Sequence, residues 1–463
     1  MHHDQTDALG TQPIGRLLLR LAAPAIAAQI INLLYNLVDR MYIGHIAEIG
    51  KLALTGVGVC LPLTMLISAF AALVGMGAAP RASIFLGKGE KDQAEEVLGN
   101  SVTLLVLVSV VLTAVFQIFA RDMLLFFGAS ENTIGYAMEY VRIYTAGTLF
   151  VQFTLGLNAF ISAQGFSGVS MATVLIGAVL NIILDPIFIF GLNMGVQGAA
   201  LATIISQAVS MLWILKFLTG PKTTLRIRRR YLALKKQVVL PSVALGLAPF
   251  VMQSTESIIS ICFNESLLRY GGDLAVGAMT ILTSVNQFSM LPLTGLTQGA
   301  QPIMSYNFGA RNPERVKKTF RLLLICCLTF SCTLWAAAMS FPQIFVKIFN
   351  NDPELVEFAS HALRLYMAAM LVFGAQIACQ QTFIALGNAK CALFLAMLRK
   401  IFLLVPLIYI MPLILPWDKT TAVFLAEPVA DILAVTTTVT LFAFQFKKAM
   451  RRMQEGPNGE WDH

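Results

Sequence analysis

Charge is what this sequence has least of. Only 13% of its 463 residues are Asp, Glu, Lys or Arg, about half the share of a soluble domain. That scarcity excludes an ordinary water-soluble enzyme or binding module. Cysteine is sparse too: Cys60, Cys262, Cys326, Cys327, Cys332, Cys379 and Cys391 all fall in apolar stretches. Their positions follow no metal-ligand spacing and no disulfide framework, so they read as small core residues. The histidines (His2, His3, His45, His361, His463) form no pair at metal-ligand spacing within an apolar segment. A nucleophile elbow, a zinc motif and a paired acid in a GxGD setting are all missing, which argues against a membrane-embedded hydrolase and against an enzyme of any kind. The opening "MHHDQTDALGTQPIG" is polar. The apolar run after it is too long for the core of a cleaved leader, so no signal peptide is expected.

What the chain does have is hydrophobic length. Hydrophobic residues make up 57% of it and the mean hydropathy is +0.73. Stretches of about 20 apolar residues, enough to span a bilayer, fall near 14–43, 53–79, 95–119, 136–163, 168–190, 196–219, 238–268, 274–306, 318–341, 355–386, 391–415 and 420–446. The fold class expected is therefore an all-α polytopic membrane protein of twelve helices. Basic residues divide unevenly between its two sides. Arg16, Arg20, Arg81, Lys88, Lys91, the run "PKTTLRIRRRYLALKK", "ARNPERVKKTFR", Lys390 and "KKAMRR" share one side. Lys51, Arg121, Arg269, Lys347 and Lys419 hold the other. By the positive-inside rule both termini are cytoplasmic. The net charge of +8 is thus a topology signal, with no call for nucleic acid, and the linker 221–236 reads as that signal plus a lipid-facing surface.

The two halves resemble each other. At an offset of 222, Gly77, Ala78, Pro80 and Gly87 meet Gly299, Ala300, Pro302 and Gly309; elsewhere Pro24 aligns with Pro249 and Pro186 with Pro406. The domains expected are a tail over 1–13, an N-lobe over 14–220, a basic linker over 221–237, a C-lobe over 238–446 and a tail over 447–463. Two six-helix bundles with a pathway between them are a transporter signature. The second copy also acts as a control. Asp39 aligns with Asn264, Asp185 with Val405 and Asn181 with Ile401, so the fold tolerates neutral residues there and the acids of the first copy point to chemistry. Asn181 and Asp185 share a helix face, Pro186 loosens the backbone beside them, and Thr203 is the first hydroxyl after a run of small residues. All lie at a depth similar to that of Asp39. Oxygen-only ligands suit a proton or a hard cation.

The stretches "NLVDRMYIG", "NIILDPIFIFGLNMGVQGAALAT" and "GLTQGAQPIMSYNFGARNPERV" resemble the multidrug and toxic compound extrusion (MATE) family, in its prokaryotic form, and the likeness covers most of residues 14–446. The resemblance implies two lobes around a V-shaped central cavity in the inner membrane of a prokaryote. It implies an antiporter that exports amphipathic, often cationic compounds against H⁺ or Na⁺, with no cofactor, working as a monomer with the lipid bilayer and small-molecule drugs as its partners. It implies a coupling-cation site, and a possible Na⁺ ligand set, at Asp39, Asn181, Asp185 and Thr203 with the carbonyl of Ala199. In the C-lobe, Glu256 matches an acid that some branches require. Those branches pair it with a tenth-helix aspartate, where this chain has Gln376, Gln380 and Gln381; Glu427 and Asp431, on one face of the twelfth helix, are the electrostatic substitutes. Candidate cargo contacts are Gln29, Asn32, Tyr35, Asn36 and Asn158, with Phe153 and Phe288 as stacking surfaces. Interhelical bonding for the amides and plain packing for the aromatics are the competing readings. A flippase for a lipid-linked saccharide stays open as the alternative function; it calls for cationic cavity walls, against the interior acids here.

Overall fold

The computed structural model describes residues 4–455. The C-terminal end of the expected tail, 456–463, lies outside them. Among the described residues every regular element is helical. Among these residues nine helices are long and apolar enough to cross a membrane, and two bent pairs raise the number to eleven: Ile134–Ala146 with Thr148–Ala163, at 58°, and Pro353–Tyr366 with Met370–Ala385, at 49°. The twelfth passage hides in the rod Lys236–Gly309. Its 74 residues would reach about 110 Å if straight, against a hydrocarbon core of about 30 Å. The rod breaks at Gly272, whose φ of 65° and ψ of −161° suit only a residue without Cβ. The chain therefore makes twelve passages in two lobes. The bent pairs are the fourth and tenth, matching positions of the two copies. Side chains such as Ile118, Phe126 and Leu413 stand exposed on the outside, as lipid requires and water would not.

Helix starts follow local chemistry where the loops are tight. Asn312, Asp352 and Asn388 each accept a hydrogen bond from a backbone N–H in the first turn, at 3.2, 3.0 and 3.2 Å, the usual way to satisfy the orphan donors there. Prolines at 313 and 353 follow the first two caps, where a missing N–H costs nothing.

The glycines of the repeat mark where the lobes meet. A Cβ on Gly87 would lie 1.9 Å from the carbonyl oxygen of Tyr306, and one on Gly309 would lie 1.9 Å from that of Ile84. These two contacts are images of each other under the 222-residue offset. Likewise Gly77 sits on Ser242 and Gly246, while Gly299 sits on Ala22. Small residues let the helix backbones touch. Arg81 adds bonds across the same seam, to the Val238 carbonyl and the Ser242 hydroxyl, both at 2.7 Å.

Two parts read as free in the sequence are fastened in the structure. The linker is held by ion pairs on one side: Arg228 binds the buried Glu95 at 2.5 Å, Arg230 binds Asp92 at 2.8 Å, and Lys235 pairs with Glu96. The start of the third span carries these acids and tethers the linker. The expected N-terminal tail contains a helix, Asp4–Thr11, that bridges the lobes. Thr6 donates to the Gln164 carbonyl at 3.2 Å and lies 2.8 Å from the Thr224 hydroxyl. On the C-lobe side the Leu9 carbonyl accepts from Asn307 at 2.8 Å and from Arg315 at 3.0 Å, and Arg315 reaches the Gln12 carbonyl at 2.8 Å. Leu9 itself is fully buried. Each such bond contributes about 1 kcal/mol. Deleting residues 4–12 should therefore raise backbone hydrogen exchange across 302–312 about tenfold or more and leave 181–203 unchanged, as read by mass spectrometry.

Candidate functional site

The fifth span ends Ser167–Pro186 as an α-helix and continues through a π-helical turn, Ile187–Gly191. Such turns recur at functional sites. Just before it, Asn181 and Asp185 face the sixth span. The Asn181 side-chain amide donates to Asp185 Oδ1 at 3.2 Å and reaches Thr203 Oγ1 at 3.4 Å, while the Thr203 hydroxyl donates to the Ala199 carbonyl at 3.0 Å. Asp39 comes in from the first span and neighbours Asp185. Asp39, Asn181, Asp185, Thr203 and Ala199 are all buried. The fold thus assembles all five expected positions from three helices. Tyr35 and Tyr140 stand near enough to feel the Asp39 charge; Tyr140 escaped notice in the sequence because it lies on the fourth span, among other aromatics.

Three oxygens of this cluster lack a partner: Asp39 Oδ1, Asp185 Oδ2 and Asn181 Oδ1. A buried carboxylate oxygen without a donor is costly. Converging acceptors of this kind fit a proton or a small hard cation. Among the described residues, no group of three or more His, Cys, Asp or Glu is arranged to hold a metal, so any ion here would depend on the amide, hydroxyl and carbonyl oxygens as well.

The C-lobe departs from the sequence reading. Glu427 and Asp431, the expected substitutes for the missing tenth-helix acid, do not stand free: Arg399 lies between them, 2.9 Å from Glu427 and 2.6 Å from Asp431. The guanidinium also lies 4.7 Å from the Phe373 ring centre. The single guanidinium offsets one of the two carboxylate charges, so the pair is engaged by a base without being fully neutralised. Glu256 is likewise paired, with Lys400. Arg399 and Lys400 lie in the π-helical turn Leu398–Leu404 of the eleventh span. Sequence reasoning missed both, although two adjacent bases inside an apolar span were signal enough. Gln376 and Gln380 bond to each other at 3.3 Å.

The cargo candidates separate. Asn32 and Asn36 are exposed on the first span, Tyr35 is half-buried, and Gln29 bonds across the lobes to Gln298 at 3.2 Å. Asn158 donates to the Ser170 carbonyl at 3.3 Å, tying the fourth span to the fifth. Phe153 is buried in an apolar cluster with Leu105, Leu157 and Ile161, so its place is in packing and it offers no stacking face. Phe288 is half exposed and leans on Phe349, with ring centres 6.4 Å apart.

The MatE family model matches this chain twice, over residues 24–187 and 249–410. The two matches coincide with the two lobes. The chain belongs to the MATE family of membrane transporters. It is similar to the multidrug export protein MepA of Staphylococcus haemolyticus, at 25% identity over 78% of this chain and 79% of that one. The MepA of Staphylococcus aureus strain NCTC 8325 is 24% identical over 89% and 90%. Among solved structures, a MATE protein crystallised in a bent conformation superposes with a TM-score of 0.90 at 22% identity, covering 97% of this chain and 99% of that one. That likeness concerns the fold.

Proposed function

We propose that this MATE transporter exports amphipathic, often cationic compounds by antiport, with H⁺ or Na⁺ moving inward through the Asp39–Asp185 cluster. The observation that carries the reading is the set of three unpartnered oxygens on Asp39, Asp185 and Asn181. Two neighbouring carboxylates repel when both are charged. A proton shared between them, or a cation held by Asp39, Asp185, Thr203 and the Ala199 carbonyl, removes that repulsion and lets the first span pack against the fifth and sixth. Release restores it. Pro24, inside the first span, supplies a bending point. The export reading also draws on the similarity to the MepA proteins, which are named for multidrug export. The flippase alternative needs free cationic groups in the interior, whereas Arg399 and Lys400 are both engaged by carboxylates.

Proteoliposomes loaded with ethidium test the coupling. An imposed proton gradient and an imposed Na⁺ gradient, applied separately, should differ: one of them drives efflux at least about tenfold above the leak, in keeping with coupling energies of 1–3 kcal/mol. Efflux equal to leak under both would end the antiport reading. Orientation is tested independently. The excess of Lys and Arg on the linker side puts both termini in the cytoplasm, so a green fluorescent fusion after His463 should fluoresce; a fusion active only as a periplasmic reporter would invert the topology.

A further inference from the structure

The C-lobe cluster contains three carboxylates, Glu256, Glu427 and Asp431, and two bases, Arg399 and Lys400. Its two halves differ in access. Around Arg399 every charged side chain is at most 12% exposed. In the other pair the Lys400 side chain is 8% exposed and that of Glu256 is 54% exposed. Adjacent residues of one turn thus reach different helices: Arg399 the twelfth span, Lys400 the seventh. Glu256 lies next to Ser257, whose hydroxyl meets the Met65 sulfur across the lobes at 3.7 Å. Glu256 thus sits at the level where the seventh span meets the other lobe, about 30 Å along that span from Lys236. By the repeat alignment the N-lobe has Val179 and Leu180 where the C-lobe has Arg399 and Lys400, so this base is a feature of one lobe alone.

We propose that Lys400 is a specificity-determining residue: by pairing with Glu256 it makes the C-lobe wall favour zwitterionic cargo over permanent monocations. This deepens the export reading and rests on it. A monocation approaching Glu256 also meets the Lys400 ammonium a few ångströms away, and in a partly screened site the repulsion offsets much of the attraction. A zwitterion can offer its ammonium to Glu256 and its carboxylate to Lys400. It replaces one ion pair by two and brings in no net charge, so no uncompensated charge is left buried.

The test uses purified protein in lipid nanodiscs, with tetraphenylphosphonium as the monocation and norfloxacin as the zwitterion. In Lys400→Met, tetraphenylphosphonium should bind roughly tenfold tighter and norfloxacin roughly tenfold weaker, the size expected for one partly screened charge. Lys400→Arg keeps the charge and should keep the wild-type ratio of affinities. Thermal unfolding of each variant in the same nanodiscs separates a folding defect from a change in selectivity; if Lys400→Met is unfolded, Lys400→Gln replaces it with the same expected ratio. Equal changes for both ligands in the neutral variant, or no change, would overturn the proposal while leaving the export reading intact. Wild-type protein that binds neither probe would overturn both.

Discussion

Asp185→Asn abolishes gradient-driven efflux and leaves a folded protein in near wild-type yield; Asp39→Asn does the same. Folding should survive because an asparagine oxygen can still accept the Asn181 amide now bound to Asp185 Oδ1, and because the second copy folds around Asn264 and Val405 at the aligned positions. Coupling should not survive, since the pair can no longer gain and lose a positive charge. The same change predicts a binding result. Ion and cargo compete by reciprocal linkage, so wild-type drug affinity should fall about 5–150-fold as protons or Na⁺ fill the site. With acid the sign is definite: lower pH means more protonated pairs and weaker drug binding. Asp39→Asn should flatten that dependence. A flat wild-type titration, or a variant that keeps the full response, would remove Asp39 from the coupling role. Aggregation of both variants on size exclusion would instead return the pair to a structural one.

Gly309→Ala should hold the lobes apart at the end where they now touch. The new methyl would sit 1.9 Å from the Ile84 carbonyl oxygen, and in the mirrored variant Gly87→Ala it would sit equally close to the Tyr306 carbonyl. Backbone cannot move aside as a flexible side chain can. Overpacking of this kind costs typically 1–3 kcal/mol, enough to shift the balance between closed and open forms by roughly 5–150-fold. Spin labels on unnatural side chains at Lys88 and Glu314 report the separation, and efflux should drop more than about tenfold because one of two alternating states becomes scarce. Gly168→Ala, where a Cβ meets nothing within 4 Å, is the control and should match wild type. A Gly309→Ala distance distribution that superimposes on wild type would mean that the seam yields elsewhere.

Which residues could be read in advance follows from how local their signal is. Hydrophobic length is local, and it foretold the passages even where the backbone hides the division, as at Gly272. Repetition is a relation within the chain, so Pro24 with Pro249 and Gly87 with Gly309 disclosed two lobes before any coordinates. An acid in an apolar span is conspicuous by its cost, which is why Asp39 and Asp185 stood out and why the structure found them together. Partners across space leave no such mark. That Glu256 pairs with Lys400, and Glu427 and Asp431 share Arg399, depends on which faces of the seventh, eleventh and twelfth spans meet. Whether Phe153 faces cargo or packs inward depends on helix rotation, which a nearly uniform apolar surface does not encode. The bridging helix Asp4–Thr11 is polar and short, and nothing in its composition says that Asn307 and Arg315 will hold it. The sequence by itself determined the spans, the two-fold plan and the acids, because these rest on transfer from water and on repetition. Only the tertiary structure decided the ion pairing of the C-lobe and the fastening of the N-terminal helix and the linker, because electrostatics and hydrogen bonds act over a few ångströms between residues far apart in the chain.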